Sequence, residues 1–224
     1  MGAEHLPPAT LEAALAAARE SMLIEARAIT RTADIVGPAL ADAIGVIRGA
    51  RGRVIVSGLG KSGHIGAKIA ATLASTGTPA QFVHSTEALH GDSGMATPDD
   101  VAILISNSGE TVEVCHFASM LNAWGVPIIA MARNPGSTLV RAAQVFLDIS
   151  VEREADPLGL APTASTATTL AVGDALAAAL MTLSQFTAED FAARHPGGSL
   201  GVQLAGPARS GVRVSGGERE EIER

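Results

Sequence analysis

Five apolar residues in a row, Val101, Ala102, Ile103, Leu104 and Ile105, stop abruptly at Ser106-Asn107-Ser108-Gly109-Glu110-Thr111. A short unbroken apolar run between polar flanks suits a strand buried on both faces, and such strands belong to parallel sheets covered by helices. A helical pattern follows, with Val112, Cys115 and Ala118 on one side. Hydroxyl residues ahead of a helix can cap its free N–H groups. Those N–H groups, the helix dipole and the hydroxyls of Ser106, Ser108 and Thr111 also form a cradle for an anion, most simply a phosphate. One hydroxyl would suit an ordinary capped turn. Three, with Gly109 and Asn107 among them, favour the phosphate.

The same alternation runs through the chain. Strands are expected at 54–56, 80–83, 101–105, 128–131 and 145–149, and helices at 65–75, 112–124, 137–142 and 163–183. Strands alternating with helices indicate βαβ units, hence an α/β fold with a parallel sheet and helices on both faces. Ligands bind such sheets beyond the carboxyl ends of the strands. Residues 57–64, 84–92 and 106–111 therefore share one rim, within reach of 152–162. Ahead of the first strand, Leu15, Met22, Ile29 and Val36 recur every seventh residue in a long amphipathic helix over 11–36. Thr10 is its expected N-cap, and Gly37-Pro38 its end. A second helix covers 39–48, and the apolar stripe suits subunit contacts. Late in the chain, Thr187 and Asp190 form a capping box for a short helix that stops before His195-Pro196-Gly197-Gly198. Residues 202–224 form a Gly- and charge-rich tail, expected to be poorly ordered.

Composition narrows the function classes. The 224 residues are 47% hydrophobic with no Tyr, so the core must be Ala, Val, Leu and Ile. A net charge of -7 argues against a broad nucleic-acid-binding face. The single cysteine, Cys115, permits no intramolecular disulfide and reads as a small core residue. The first residues lack the basic start and apolar core of a signal peptide. The apolar stretch 170–183 carries Asp174 and reads as too short to span a bilayer. A soluble cytoplasmic protein, with neither nucleic acid nor membrane as partner, is the expectation.

Gly58, Gly60 and Gly63 spell G-x-G-x-x-G between a strand and a helix. A dinucleotide site would add an acid near the end of the second strand, where this chain has Phe82-Val83-His84-Ser85. Ile55 stands where a P-loop would have its first Gly. Lys61, in the turn, offers a cation to a phosphate or a developing oxyanion. His90 lies in the loop after the second strand, and Glu113 one turn into the helix after the hydroxyl-rich turn. Glu154 opens a loop stiffened by Pro157, Gly159 and Pro162, and His195 precedes Pro-Gly-Gly. Singly, each suits an ordinary solvated residue. Together around a phosphate turn they make a proton-transfer set. No zinc-binding spacing is present, and the chemistry requires neither metal nor organic cofactor.

Gly58-Leu59-Gly60-Lys61-Ser62-Gly63-His64-Ile65-Gly66, Ala74-Ser75-Thr76-Gly77-Thr78-Pro79 and Ile105-Ser106-Asn107-Ser108-Gly109-Glu110 resemble a sugar isomerase (SIS) domain. Asp156-Pro157-Leu158-Gly159-Leu160-Ala161-Pro162-Thr163 and His195-Pro196-Gly197-Gly198-Ser199-Leu200-Gly201 narrow the resemblance to the D-arabinose 5-phosphate isomerases. It implies a three-layer αβα sandwich around a parallel, flavodoxin-like five-stranded sheet. Residues 1–50 would be helices packing on the SIS domain and on neighbouring subunits, 51–201 the SIS domain with its C-terminal helices, and 202–224 the tail. It implies reversible conversion of D-ribulose 5-phosphate to D-arabinose 5-phosphate through an enediolate, which supplies the Kdo of lipopolysaccharide. Lys61, Glu113, Glu154, His195 and His90 match its catalytic positions. Ser106, Ser108 and Thr111 match its phosphate positions, and Ser57, Gly58, Ser62, Asn107 and Gly109 are expected beside them. Glu154, its pKa raised by partial burial, is the expected base. A homo-tetramer and feedback by the sugar nucleotide CMP-Kdo are further expectations. Longer members continue into paired CBS domains, so a single-domain form is expected here, with Asp156 where Cys is common. A non-catalytic SIS sensor of a sugar phosphate or sugar nucleotide, or an isomerase of another phosphosugar, is the alternative.

Overall fold

A computed structural model describes residues 7–197. Two helices lead, α1 (Pro8–Ile35) and α2 (Gly37–Gly49). Then strand and helix alternate: β1 (Val54–Gly58), α3 (Gly60–Ser75), β2 (Ala80–His84), α4 (Ser85–Ala88), β3 (Val101–Ile105), α5 (Val112–Ala123), β4 (Ile128–Ala132), α6 (Thr138–Arg141), β5 (Val145–Asp148) and α7 (Ala164–Ser184). The five strands form one parallel sheet in the order β2-β1-β3-β4-β5. Strands β1, β3 and β4 are buried along their whole length, as their unbroken apolar runs require.

Side chains alternate across the sheet and divide the core in two. Val56, Ile103, Ile105, Ile129 and Met131 pack with α2, α3 and α7. Ile55, Ala102, Leu104, Ile128 and Ala130 pack under Val114, Phe117 and Leu121 of α5. The expected three-layer αβα sandwich is therefore the observed one. Between β1 and α3 the packing leaves no room for a side chain: a Cβ on Gly63 would lie 3.0 Å from the Gly58 carbonyl oxygen.

Several local expectations are corrected. Helix α1 starts at Pro8 with Pro7 as N-cap and no side-chain cap, so Thr10 lies inside the first turn. Proline suits that position because its missing N–H would have had no partner. Gly37-Pro38 opens α2 rather than merely ending α1, for the same reason. Of the heptad residues, Leu15 is 62% and Met22 72% exposed, Ile29 is half-buried and Val36 joins the core, while Ile24 packs inward with Ala155 and Ala164. Helix α3 begins at Gly60, which brings Lys61 and Ser62 into its first turn. Helix α7 has 21 residues, long and apolar enough to cross a membrane by length and composition, against the shorter reading from the sequence. Its residues Val172, Leu176, Ala177 and Leu180 instead belong to the core.

The chain divides into two compact units, Met1–Gln185 and Phe186–Arg224. In the second, α8 (Ala188–Arg194) starts with the expected capping box, Thr187 and Asp190 bonding each other's backbone. The tail 202–224 lies outside the described residues, as does the motif beyond Gly197.

Candidate active site

The order β2-β1-β3-β4-β5 reverses direction between β1 and β3. Open parallel sheets of this order bind ligands at that point, beyond the carboxyl ends. Gly58 and Ile105, the last residues of β1 and β3, are register partners there. Each strand feeds directly into a helix, α3 after β1 and α5 after β3, so two helix N-termini flank one crevice.

Neither terminus is capped by a side chain. Thr111 occupies the N-cap position of α5, but its hydroxyl is 2.8 Å from the Ser106 hydroxyl instead. Ser106 Oγ also accepts from the Gly109 amide at 3.1 Å, and Ser108 Oγ accepts from the Glu110 amide at 3.1 Å. Glu110 Oε1 accepts from the Thr138 amide at 2.9 Å, which holds its carboxyl below the usual range. The hydroxyls therefore shape the turn from within. The first-turn amides of α5 stay open, with the positive end of the helix dipole behind them. Ser106, only 2% exposed, builds the turn, while Ser108 is exposed and Thr111 half-buried beside the open amides. The expectation for Ser57 is corrected, since it is fully buried and bonded to Ser85 Oγ at 2.9 Å.

Gly109 sits at φ +71° with a side chain's space already filled by Ser137. Gly109→Ala is expected to cost about 1–2 kcal/mol in backbone strain alone, more with the collision. Chemical denaturation checks this, and an unchanged midpoint would contradict the assigned turn.

Beside this crevice lies a cavity of about 230 Å3. Lys61, Ser62 and Asn107 line one side, and Ser165, Thr166 and Thr169 of α7 the other. In the sequence, Ser165, Thr166 and Thr169 stand out only as part of the helix expected over 163–183. Their hydroxyl spacing of i, i+1 and i+4 was the available signal, since it gathers them on one helical face.

Glu154 caps α7. Its Oε2 accepts from the amides of Thr163 at 2.8 Å and Ser165 at 3.1 Å, and from the Thr163 hydroxyl at 3.3 Å. Burial pushes its pKa up, but these donors and the nearby Ser165 hydroxyl prevail, and the net shift is downward. That corrects the expected rise. The Ser165 hydroxyl is close enough to favour the charged carboxylate yet lies outside hydrogen-bonding geometry with it. Two residues on, Asp156 takes the amides of Leu158, Leu160 and Ala161 at 2.8–2.9 Å. Burial raises its pKa, and those amides lower it further than that. The two carboxylates thus hold the two halves of the loop between β5 and α7.

Glu113 stands half-buried in the first turn of α5, and His90 is exposed after α4. His195 belongs to the second unit, where its ring stacks on Phe191 at 3.9 Å and its Nδ1 is 2.8 Å from the Phe191 carbonyl oxygen. Cys115 is half-buried, its thiol pushed up by burial and by Glu110. Among the described residues no group of three or more His, Cys, Asp or Glu could hold a metal ion.

Residues 47–179 match the SIS domain family. Arabinose 5-phosphate isomerase KdsD of Pseudomonas aeruginosa is 51% identical over 187 residues, covering 84% of this chain and 57% of that protein. KdsD of Escherichia coli K12 is 58% identical over 154 residues, 69% of this chain and 47% of that protein. The chain therefore spans about half the length of the curated relatives it matches. Among solved structures, c3406 of E. coli CFT073 in complex with arabinose 5-phosphate is 43% identical with a TM-score of 0.80, covering 85% of this chain and 100% of that one. With the matched segment spanning the whole sheet and both helix N-termini of the crevice, the chain belongs to the SIS domain family.

Proposed function

We propose that the chain is an aldose–ketose isomerase that interconverts D-ribulose 5-phosphate and D-arabinose 5-phosphate. The observation that carries this reading is the pair of uncapped helix N-termini at the β1/β3 switch point, with Lys61 on the wall of the adjoining cavity. The similarity to the KdsD enzymes and to a structure in complex with arabinose 5-phosphate supplies the sugar. In this reading the phosphate sits against the α5 amides near Asn107, Ser108, Gly109 and Thr111. The open-chain sugar extends past Gly58 and Ser62 toward Lys61.

Isomerisation moves a proton between adjacent carbons through an enediolate. Lys61 stabilises the oxyanion. Glu154 takes the carbon-bound proton through Oε1, which none of the capping bonds uses, and Glu113 and His90 complete the proton-transfer set of this unit. A low carboxylate pKa makes Glu154 a weak base, always ionised at neutral pH, so its efficiency rests on position. The product would feed synthesis of Kdo, with CMP-Kdo as a feedback ligand.

Residues 1–50 are proposed as the packing and subunit-contact segment, 51–201 as the SIS domain and 202–224 as a tail. The exposed Leu15 and Met22 of α1 support a subunit contact, proposed as that of a homo-tetramer. A cytoplasmic location follows from the reaction proposed.

An NMR time course of the purified protein with D-ribulose 5-phosphate and chelator tests the reading. Arabinose 5-phosphate signals growing to an equilibrium are expected. No turnover, with phosphate-dependent protection against heat, would replace this reading with that of a sensor module.

A further inference from the structure

Strand β4 ends at Ala132, but its pleat runs one residue further. The Met131 carbonyl accepts from the Ser106 amide at 3.1 Å, and the Arg133 amide donates to the Asn107 carbonyl at 3.0 Å. Between them the Ala132 carbonyl faces the other way and accepts from the Ile149 amide at 3.0 Å. Backbone groups that alternate between neighbouring strands carry side chains that alternate between the faces of the sheet. Arg133 therefore leaves the sheet on the face of Met131, which belongs to the core shared with α2, α3 and α7. On that face Lys61 of α3 and Thr166 of α7 line their cavity. Asn107, whose carbonyl the Arg133 amide holds, lines it too. The Arg133 side chain is exposed and makes no ion pair among the described residues. Arg141, another arginine near this turn, is already engaged by the Gly136 carbonyl and the Thr138 hydroxyl.

We propose that Arg133 binds the phosphate of the ligand, as the cation that the amide cradle lacks. This rests on the reading of the crevice as a phosphosugar site. Charge is the reason. The start of α5 offers about half an elementary charge. A phosphate monoester carries about −1.5 to −2 at neutral pH. Glu110, held in its charged form by the Thr138 amide, and Glu113 add negative charge at the same turn. Open amides alone leave such an anion short of positive charge. Lys61 is committed to the oxyanion that develops at the other end of the ligand. A guanidinium suits the remaining role, since it stays protonated and can pair two N–H groups with two phosphate oxygens. The bond to Asn107 fixes where the side chain starts, so only its rotamers must adjust to the ligand. Two cations thus divide the work. Arg133 holds the group that the reaction leaves unchanged, and Lys61 meets the charge that the reaction creates.

Calorimetry on the full chain, with inorganic phosphate and with D-arabinose 5-phosphate, tests this without turnover. Arg133→Met is expected to weaken both ligands by about tenfold or more, the loss usual for a hydrogen bond to a charged group. Arg133→Lys should recover part of it for both. In kinetics KM should rise while kcat stays within about twofold, because the phosphate is bound alike in the ground and transition states. The unliganded thermal midpoint should not move, which separates binding from a structural role. Arg48→Met removes an exposed charge of the same sign beside the amino ends of the strands and should change neither affinity. Unchanged phosphate affinity in Arg133→Met, a loss confined to arabinose 5-phosphate, a fall in kcat at constant KM, or an equal loss in Arg48→Met would overturn the proposal. Of these, unchanged affinity with normal isomerisation would leave the enzyme reading standing. Weakening of both ligands in a chain that does not isomerise D-ribulose 5-phosphate would support Arg133 while removing the enzyme reading.

Discussion

Lys61→Met is expected to lower kcat about 10²–10³-fold, the loss typical when one charged or hydrogen-bonding group facing a developing oxyanion is removed. Its thermal midpoint should hardly move. Lys61 is exposed in the first turn of α3 and makes no ion pair among the described residues, so little folding energy depends on it. Surface substitutions of that kind usually stay within about 0.5 kcal/mol. Stopped-assay kinetics and a thermal melt on the same preparation separate the two effects. A variant that keeps its kcat but raises KM would place the ammonium on the phosphate alone, since it would then bind ground and transition states equally.

Glu154→Gln should cost both activity and stability. As the proposed base, Glu154 is expected to account for about 10²–10⁴ in kcat. As the cap of α7 it holds two amides and a hydroxyl with one oxygen. A neutral amide oxygen can accept some of these bonds but without charge, at a cost of about 1 kcal/mol. Solvent deuterium entering the substrate distinguishes the roles. Loss of exchange is expected, whereas exchange at the original rate with a lowered midpoint would leave Glu154 as a cap and move the base elsewhere. The pH dependence has a definite sign. Glu154 and Asp156 are both held below the usual carboxylate range in the folded chain. Their contribution to stability is therefore complete above the unfolded carboxylate values and is lost as pH falls through the folded ones. The asparagine and glutamine variants should flatten this acid limb.

The strands are legible in the sequence because a fully buried strand shows itself as an unbroken apolar run, as in residues 101–105. The hydroxyl-rich turn is legible for a similar reason: its composition is local. What each hydroxyl does is not local. Ser106 turns inward because Thr111 and Gly109 come back to meet it, and Ser57 is consumed by Ser85 from the neighbouring strand's end. The α7 wall of the cavity escapes sequence reading because it exists only once α7 packs on α3; along the chain, Ser165, Thr166 and Thr169 resemble any capped helix start. The direction of the Glu154 shift escapes it as well. Burial alone suggests a rise, and the donors that reverse it come from nine and eleven residues downstream. Helix α3 begins earlier than its apolar pattern because Gly60, Lys61 and Ser62 carry no apolar signal.

The uncapped start of α5 has a consequence for the free protein. Thr111 spends its hydroxyl on the turn and leaves the helix end unneutralised, with about half an elementary charge on open amides. An anion bound there supplies the missing cap, so part of its binding energy is helix-forming energy. Saturating it at 100 times its dissociation constant would stabilise the fold by about 2.7 kcal/mol. If the proposed phosphate binds there, the unliganded protein is the less stable form, and a thermal midpoint that rises with phosphate concentration is the expected sign.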